Sequence, residues 1–505
     1  MDQTKTPYFQ ALLDYVDAGV IPFHTPGHKQ GIGLDRAFRE FIGDNIASID
    51  LTPMPGIDDL LQPTESLLEA QQLAAEAYGA DRSYFLINGS TSGNQCMMMA
   101  AVNPGDRIAV PRNAHKSMLG GLVMSGAHPI YMQPEVDEAL HMDNCVTPET
   151  VAHTLAEYPD IKAVYLVSPT YYGVAADIEA IAKVAHDAGK LLLVDEAWGP
   201  HFHFHPALPM SATAAGADLC INSTHKMLSA FSQCAMLHQI GSRVRVDRLE
   251  AVLKMFLSTS PNLPMVASLD VARKQMATEG AALLSRTIDL AEDTRRRLNA
   301  IPGVYCFGEE LQGRPGVFDL DPTKVTITVK DLGYTGYEAS EILRRRYNVQ
   351  VELADLFNVV ALYTIGTTAA AADRLVLGVS ELAREDRAVD IFSPSGILQR
   401  RLKTGSYRLP KIPPMRMLPR DAFLADTEFV NFKQSKGRIC AETISPYPPG
   451  IPVLSPGEEI GEDIIDYLLL EIRAGVRMQG PYDKELKKIR VVKRQGEKPE
   501  LRKEF

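Results

Sequence analysis

KLLLVDEAWGPHFHFHPALPMSATAAGADLCINSTHKM, residues 190–227, holds two short apolar runs, and each ends on polar side chains. Leu191 to Val194 leads into Asp195-Glu196-Ala197-Trp198, and Asp218 to Asn222 leads into Ser223-Thr224-His225-Lys226. Runs this short and this apolar have the length of buried strands, not of helices. Outward from them the same unit repeats. Ser83 to Asn88, Arg107 to Pro111 and Ala163 to Ser168 read as strands, with a helix at Ile178 to Ala188. A small-residue turn, Gly89-Ser90-Thr91-Ser92-Gly93, precedes a Met-rich helix. Strands alternating with helices predict an α/β fold with a mostly parallel sheet covered on both faces.

Flanking segments set the expected domain organisation. Residues 1–65 read as a Pro- and Gly-rich arm with little periodicity, and a helix from about Thr64 to Tyr78 stops at Gly79. The large domain is expected over 66–300, closing on a long helix from about Met265 to Asn299. A smaller α+β domain follows over 301–393, with strand, helix, strand, strand, helix between Lys324 and Glu385. A Pro- and Arg-rich linker is expected at 394–420, a C-terminal module at 421–493 and a charged tail at 494–505. A chain of 505 residues exceeds what one core supports.

Composition narrows the partners. The net charge of −11 disfavours nucleic acid. No apolar stretch reaches the roughly 20 residues that span a bilayer. Six scattered cysteines without a CxxC pair read as free thiols, and the N-terminus lacks a secretion signal. Both point to the cytoplasm, with no membrane and no structural metal.

Four segments carry chemistry. Asn88 to Asn94, placed after a strand and opening a helix, suits an anion cradle of backbone N–H groups, or equally an ordinary tight turn. Asp195, at the C-terminal end of a buried strand, sits where open α/β sheets bind ligands. Its carboxylate suits a pyridinium nitrogen; metal ligation or a strand-end cap are the other readings. Glu196 points to the opposite face of the pleat. Lys226 follows small hydroxyl residues and precedes an apolar run, and desolvation there would favour the free amine that an aldehyde cofactor needs. His115, in Arg112-Asn113-Ala114-His115-Lys116, could stack on a cofactor or move protons, or could merely cap a helix.

These segments, S-x-H-K at Ser223 to Lys226 and D-E-A at Asp195 to Ala197, join PGHK at Pro26 to Lys29, RNAHKS at Arg112 to Ser117 and YPPGIP at Tyr447 to Pro452. Together they resemble the Orn/Lys/Arg decarboxylase family, fold-type-I enzymes of aspartate-aminotransferase-like fold that use pyridoxal 5'-phosphate. The resemblance spans nearly the whole chain. It implies that Lys226 is the Schiff-base lysine, that Asp195 partners the pyridine nitrogen, and that Ala197 and His115 pack on the two ring faces. It further implies phosphate contacts from Ser90, Thr91, Ser92, Ser223 and His225. Ser258 to Pro261 resembles the segment that reaches the neighbouring subunit's phosphate, so Thr259 and Ser260 are expected to act across a homodimer or higher homo-oligomer. Decarboxylation of a basic L-amino acid is the implied reaction, with another fold-type-I enzyme such as an aminotransferase or lyase, or a catalytically silent regulatory homologue, as the weaker readings. Arginine is favoured over lysine and ornithine, because compact members are often arginine decarboxylases. Trp198 and Phe231-Ser232-Gln233 look more like the larger acid-stress members.

A basic side chain needs an acidic partner in the pocket. Asp58, Asp59 and Glu442 are candidates, with Glu442 preferred and Trp198 at the pocket wall. His201, His203 and His205 would share one face of a strand but have no fourth ligand placed to help, so they read as structural. Arg344 to Arg346 read as a solvated helix face, and Met97 to Met99 as core.

Overall fold

The structure, a computed structural model, describes residues 1–385, 396, 410–447, 450–473 and 475–494. Most of the expected linker, the charged tail beyond Arg494, and Pro448-Pro449 of YPPGIP lie outside the described residues.

Seven strands form the central sheet: Arg82–Leu86 (β1), Arg107–Pro111 (β2), His128–Met132 (β3), Ile161–Val167 (β4), Leu191–Asp195 (β5), Leu219–Asn222 (β6) and Ala235–Gln239 (β7). Their order is β1-β7-β6-β5-β4-β2-β3, and β7 alone runs against the others. This is the mostly parallel α/β sheet expected, with β3 and β7 added to the strands read from sequence. Alternation along β5 sends Leu192 and Val194 into one core and Leu193 into the other, so both faces are buried. The pairing sets Val167 of β4 beside Asp195, and Asp195 beside Ile221 of β6. The carboxyl ends of three strands therefore finish level, and Asp195 stands at that edge.

The arm is more ordered than its composition suggests. It contains helices Pro7–Asp17 (α1), Arg36–Ile42 (α2) and Asp44–Ser48 (α3). α1 gains what its short length lacks from a buried ion pair: Asp270 accepts from the N–H of Tyr8, and Arg273 donates to the carbonyls of Gln3 and Lys5. Asp58, a candidate for substrate, is used otherwise. Its carboxylate accepts the backbone N–H groups of Thr64, Glu65 and Leu67 at the start of helix Ser66–Tyr78 (α4). Asp59 accepts from Leu61 N–H.

Helix Gly89–Ala101 (α5) begins at the glycine of the small-residue segment, so Ser90 to Gly93 form its first turns, not a preceding loop. A Cβ on Gly93 would stand 2.3 Å from the Ile221 side chain, so glycine is what lets α5 lie against β6. Helices Lys116–Ser125 (α6) and Thr224–Met227 (α7) follow β2 and β6. A 37-residue helix, Leu263–Asn299 (α8), leads to the smaller sheet.

That sheet is Tyr305–Cys306 (β8), Lys324–Thr328 (β9), Leu353–Ala354 (β10) and Asn358–Leu362 (β11), with helices Gly336–Tyr347 (α9) and Ala369–Arg384 (α10). Between Lys324 and Arg384 the order is as expected. Arg344, Arg345 and Arg346 pair at the surface with Glu341 and Glu385. The C-terminal module packs helix Glu462–Arg473 (α11) against strand pairs 427–431 with 488–492 and 445–447 with 477–479. Arg112 ties it to the large domain, donating to both oxygens of the buried Glu458 and to the Val453 carbonyl.

The HFHFH segment is a 3-10 turn, Phe202–Phe204, not a strand. Its histidines diverge to separate partners: His201 to Thr323 and Asp321, His203 to Ser211, His205 to Ser285. Among the described residues no cluster could hold a metal ion, and no helix is long and apolar enough to cross a membrane. All six cysteines are buried and unpaired.

Candidate active site

The level strand ends bring Asp195, Lys226, His115 and Trp198 together. Asp195 lies on the α5 side of the sheet and is 3% exposed. Its Oδ2 accepts from Asn94 Nδ2 at 2.8 Å and Tyr165 OH at 3.1 Å, and its Oδ1 from Ala197 N–H at 3.1 Å. Three donors fix the direction of its side chain. Glu196 turns to the other face, where Asn222 and Ala212 N–H bond it and burial pushes it up to about 7.

Lys226 Nζ lies 3.8 Å from the centre of the Trp198 ring. Burial pushes its amine down to about 8, partly offset by Asp195 and Glu352 and reinforced by Lys324. Lys324 and Asp321 form a fully buried pair, and Lys324 Nζ donates to the Trp198 carbonyl at 2.9 Å, which fixes that residue's backbone.

His115 caps α6, accepting at Nδ1 from Ser117 N–H. Ser117 Oγ lies 2.8 Å from that nitrogen and accepts from Asn94 Nδ2, so one amide spans His115's support and Asp195. With Nδ1 accepting, Nε2 carries the proton. Burial drives the ring down to about 4 and Lys226 and Lys116 add to this, while Asp195 opposes it. The imidazole is neutral at physiological pH.

On the other side, Ser223 Oγ donates to Ser90 Oγ at 2.6 Å. His225 is fixed through Nδ1 to the Cys234 carbonyl. Thr91 is exposed beside them, and Ser92 donates back to the Gly89 carbonyl. The first N–H groups of a helix have no partner within it, so the start of α5 presents donors and a positive dipole end.

Sequence reasoning missed Asn94, Tyr165 and Ser117, which orient the groups it did find. Asn94 and Ser117 stand inside the quoted motifs, and Tyr165 interrupts an otherwise aliphatic strand. It also missed Glu352, just before β10. That side chain is open to solvent on one side, yet surrounding protein pushes its pKa up while Lys226 and Lys324 draw it down. Among the described residues no hydrogen bond or ion pair engages its carboxylate.

Residues 6–371 match the family described as Orn/Lys/Arg decarboxylase, major domain, and residues 401–500 match its C-terminal domain. This chain belongs to the Orn/Lys/Arg decarboxylase family. It is 43% identical to arginine decarboxylase of Bacillus subtilis over 98% of this chain and 99% of that protein. Lysine decarboxylase LdcA of Pseudomonas aeruginosa is 30% identical, over 92% of this chain and 75% of its own length. The crystal structure of the Francisella novicida lysine decarboxylase LdcF superposes with a TM-score of 0.83 at 25% identity, covering 97% of this chain and 81% of that one.

Family membership gives context to residues that stay apart within one chain. Thr259 and Ser260 are exposed, and among the described residues no hydrogen bond joins them to the groups above. In PGHK, His28 pairs with Asp50 at 3.1 Å and accepts from Gly31 N–H, a local arm structure. Glu442, expected to anchor substrate, is instead a pin of the C-terminal module. It is 3% exposed, and its oxygens accept from the backbone N–H groups of Tyr482 and Arg490. A buried acceptor already serving two N–H groups has little to offer a substrate cation.

Proposed function

We propose that this decarboxylase uses pyridoxal phosphate and removes the carboxylate of L-arginine. The observation that carries the reading is Lys226: a half-buried lysine with no hydrogen bond or ion pair among the described residues, held 3.8 Å from the centre of an aromatic ring and depressed toward the neutral, nucleophilic form. The donor set fits the cofactor. An unpartnered amine suits its aldehyde, Asp195 its ring nitrogen, and the start of α5 with Ser90, Thr91, Ser92, Ser223 and His225 its phosphate. Once bound, pyridoxal phosphate supplies the electron sink that lets a Cα carboxylate leave as CO2. Asp195, fixed by Asn94, Tyr165 and Ala197, stabilises positive charge at the sheet edge. Ala197 and neutral His115 bound the site from either side, and the Trp198 ring lies against the Lys226 amine. Lys226 or His115 Nε2 returns a proton to the carbon that lost CO2.

Arginine is favoured because the relatives of higher identity carry that name, and because Glu352 offers a free carboxylate facing Lys226 that a guanidinium can engage through two N–H groups. Incubation with arginine, lysine and ornithine should release CO2 fastest from arginine. Replacing Glu352 with Gln should raise KM for arginine at least about tenfold, roughly 1.4 kcal/mol, with a smaller fall in kcat. Unchanged steady-state kinetics would put the anchor elsewhere.

The same reading makes the site complete only in a homodimer. Thr259 and Ser260 are exposed, as are the large apolar side chains Phe23 and Phe41, at 93% and 88%. Mixing Lys226→Ala protein with a Thr259→Ala/Ser260→Ala variant should recover about a quarter of wild-type activity, since half the dimers are hybrids with one intact site. No recovery after subunit exchange would refute shared sites. Six buried, unpaired cysteines fit a reducing compartment such as the cytoplasm.

A further inference from the structure

A cavity of about 160 Å³ lies where the large domain, the small domain and the C-terminal module meet, and none of Lys226, Asp195, His115 or Trp198 lines it. Each of the three parts sends one carboxylate to its wall: Asp143, Asp355 and Glu471. Glu471, on α11, is 3% exposed, and its Oε1 has no hydrogen-bond partner. Asp355 accepts from Tyr172 OH and from the N–H groups of Phe357 and Asn358. Asp143 feels burial and no compensating partner, which pushes it up to about 6; burial pushes Glu471 up to about 8, with a hydrogen bond to Tyr467 opposing and Asp355 adding.

The cations nearby do not neutralise this wall. Arg112 is committed to Glu458, Lys411 is exposed, and His141 is kept neutral by burial, its pKa down to about 4. Apart from Gln133 the remaining surface is aromatic and apolar, with Tyr172, Tyr337 and Tyr467 beside Pro410, Pro446 and Pro452. Acidic groups set among aromatic rings and aliphatic surface suit a cation carried on an alkyl chain.

We propose that this cavity binds a small aliphatic amine or guanidine that carries no carboxylate. A bound cation favours the ionised form of these acidic groups, whereas an amino acid would bring its own carboxylate against Asp143, Asp355 and Glu471 and oppose that ionisation; its decarboxylated amine brings only cations. The ligand class is therefore that of the reaction's product and not of its substrate, which rests on the proposed function for the choice of probe. Because the carboxylates come from three parts of the chain, occupancy ties those parts together.

Calorimetric titration of the cofactor-loaded enzyme with (4-aminobutyl)guanidine tests this. Two classes of site are expected. The class outside the active site should persist in Glu352→Gln, and its Kd should rise at least tenfold in Glu471→Gln and in Asp143→Asn. Both substitutions preserve shape and add no charge, and thermal unfolding reports whether each variant is folded. Arginine should not fill that class. Unchanged titrations in both cavity variants, or arginine binding there as tightly as the amine, would overturn the proposal. A Glu471-dependent site in a chain that releases no CO2 from any basic amino acid would uphold the cavity and refute the decarboxylase reading.

Discussion

Lys226→Ala is expected to abolish both the visible absorbance acquired with pyridoxal phosphate and at least about a thousandfold of kcat/KM, roughly 4 kcal/mol. Alanine removes the amine held against the Trp198 ring near Asp195 and Glu352, and the nearby Lys324 is committed to Asp321 and the Trp198 carbonyl. The depressed pKa gives the wild type a second signature. The neutral amine is the reactive form, so at a pKa of about 8 half of Lys226 is reactive at pH 8, where an ordinary lysine is almost wholly protonated. Stopped-flow absorbance should show the rate of cofactor capture rising with pH and levelling above about pH 8. A rise continuing to pH 10 would mean the site does not depress Lys226.

Asp195→Asn is expected to lower kcat at least a hundredfold, about 2.7 kcal/mol, even with saturating cofactor. The substitution removes the negative charge that balances a protonated ring nitrogen. It also sets an amide among three fixed donors, Asn94, Tyr165 and Ala197 N–H, so an N–H group must face another donor on one side. Steady-state rates beside thermal unfolding separate the two consequences: a stable variant with low kcat follows the charge, and wild-type kcat would end Asp195's assignment.

How much of this was legible in the sequence depended on how local each signal was. Asp195 and Lys226 stood out because one closes a dense apolar run and the other follows such a run within four residues, and such runs are strands whatever their partners are. β7 was hidden because its run follows α7 with little punctuation, and because it turns back antiparallel, which the alternating pattern does not announce. α1 was missed since its anchor is Asp270, 262 residues away in sequence. Pro7 at its first turn was the available cue. The HFHFH alternation suggested a strand, but five residues of alternation do not outweigh a 3-10 turn held by His201 on Asp321 and His205 on Ser285. Glu352 carried no local mark, because its proximity to Lys226 arises from packing the small domain on the large one. Glu442 misled for the same reason: a carboxylate near a family motif says nothing of which N–H groups reach it first.

Borohydride reduction of the cofactor-loaded protein, followed by peptide mapping, tests the central claim most directly. Reduction fixes the pyridoxyl group on whichever amine holds it. The expected result is one modified peptide, with the group on Lys226. Modification of a different lysine such as Lys324, or of none, would contradict the assignment of Lys226 and the chemistry built on it.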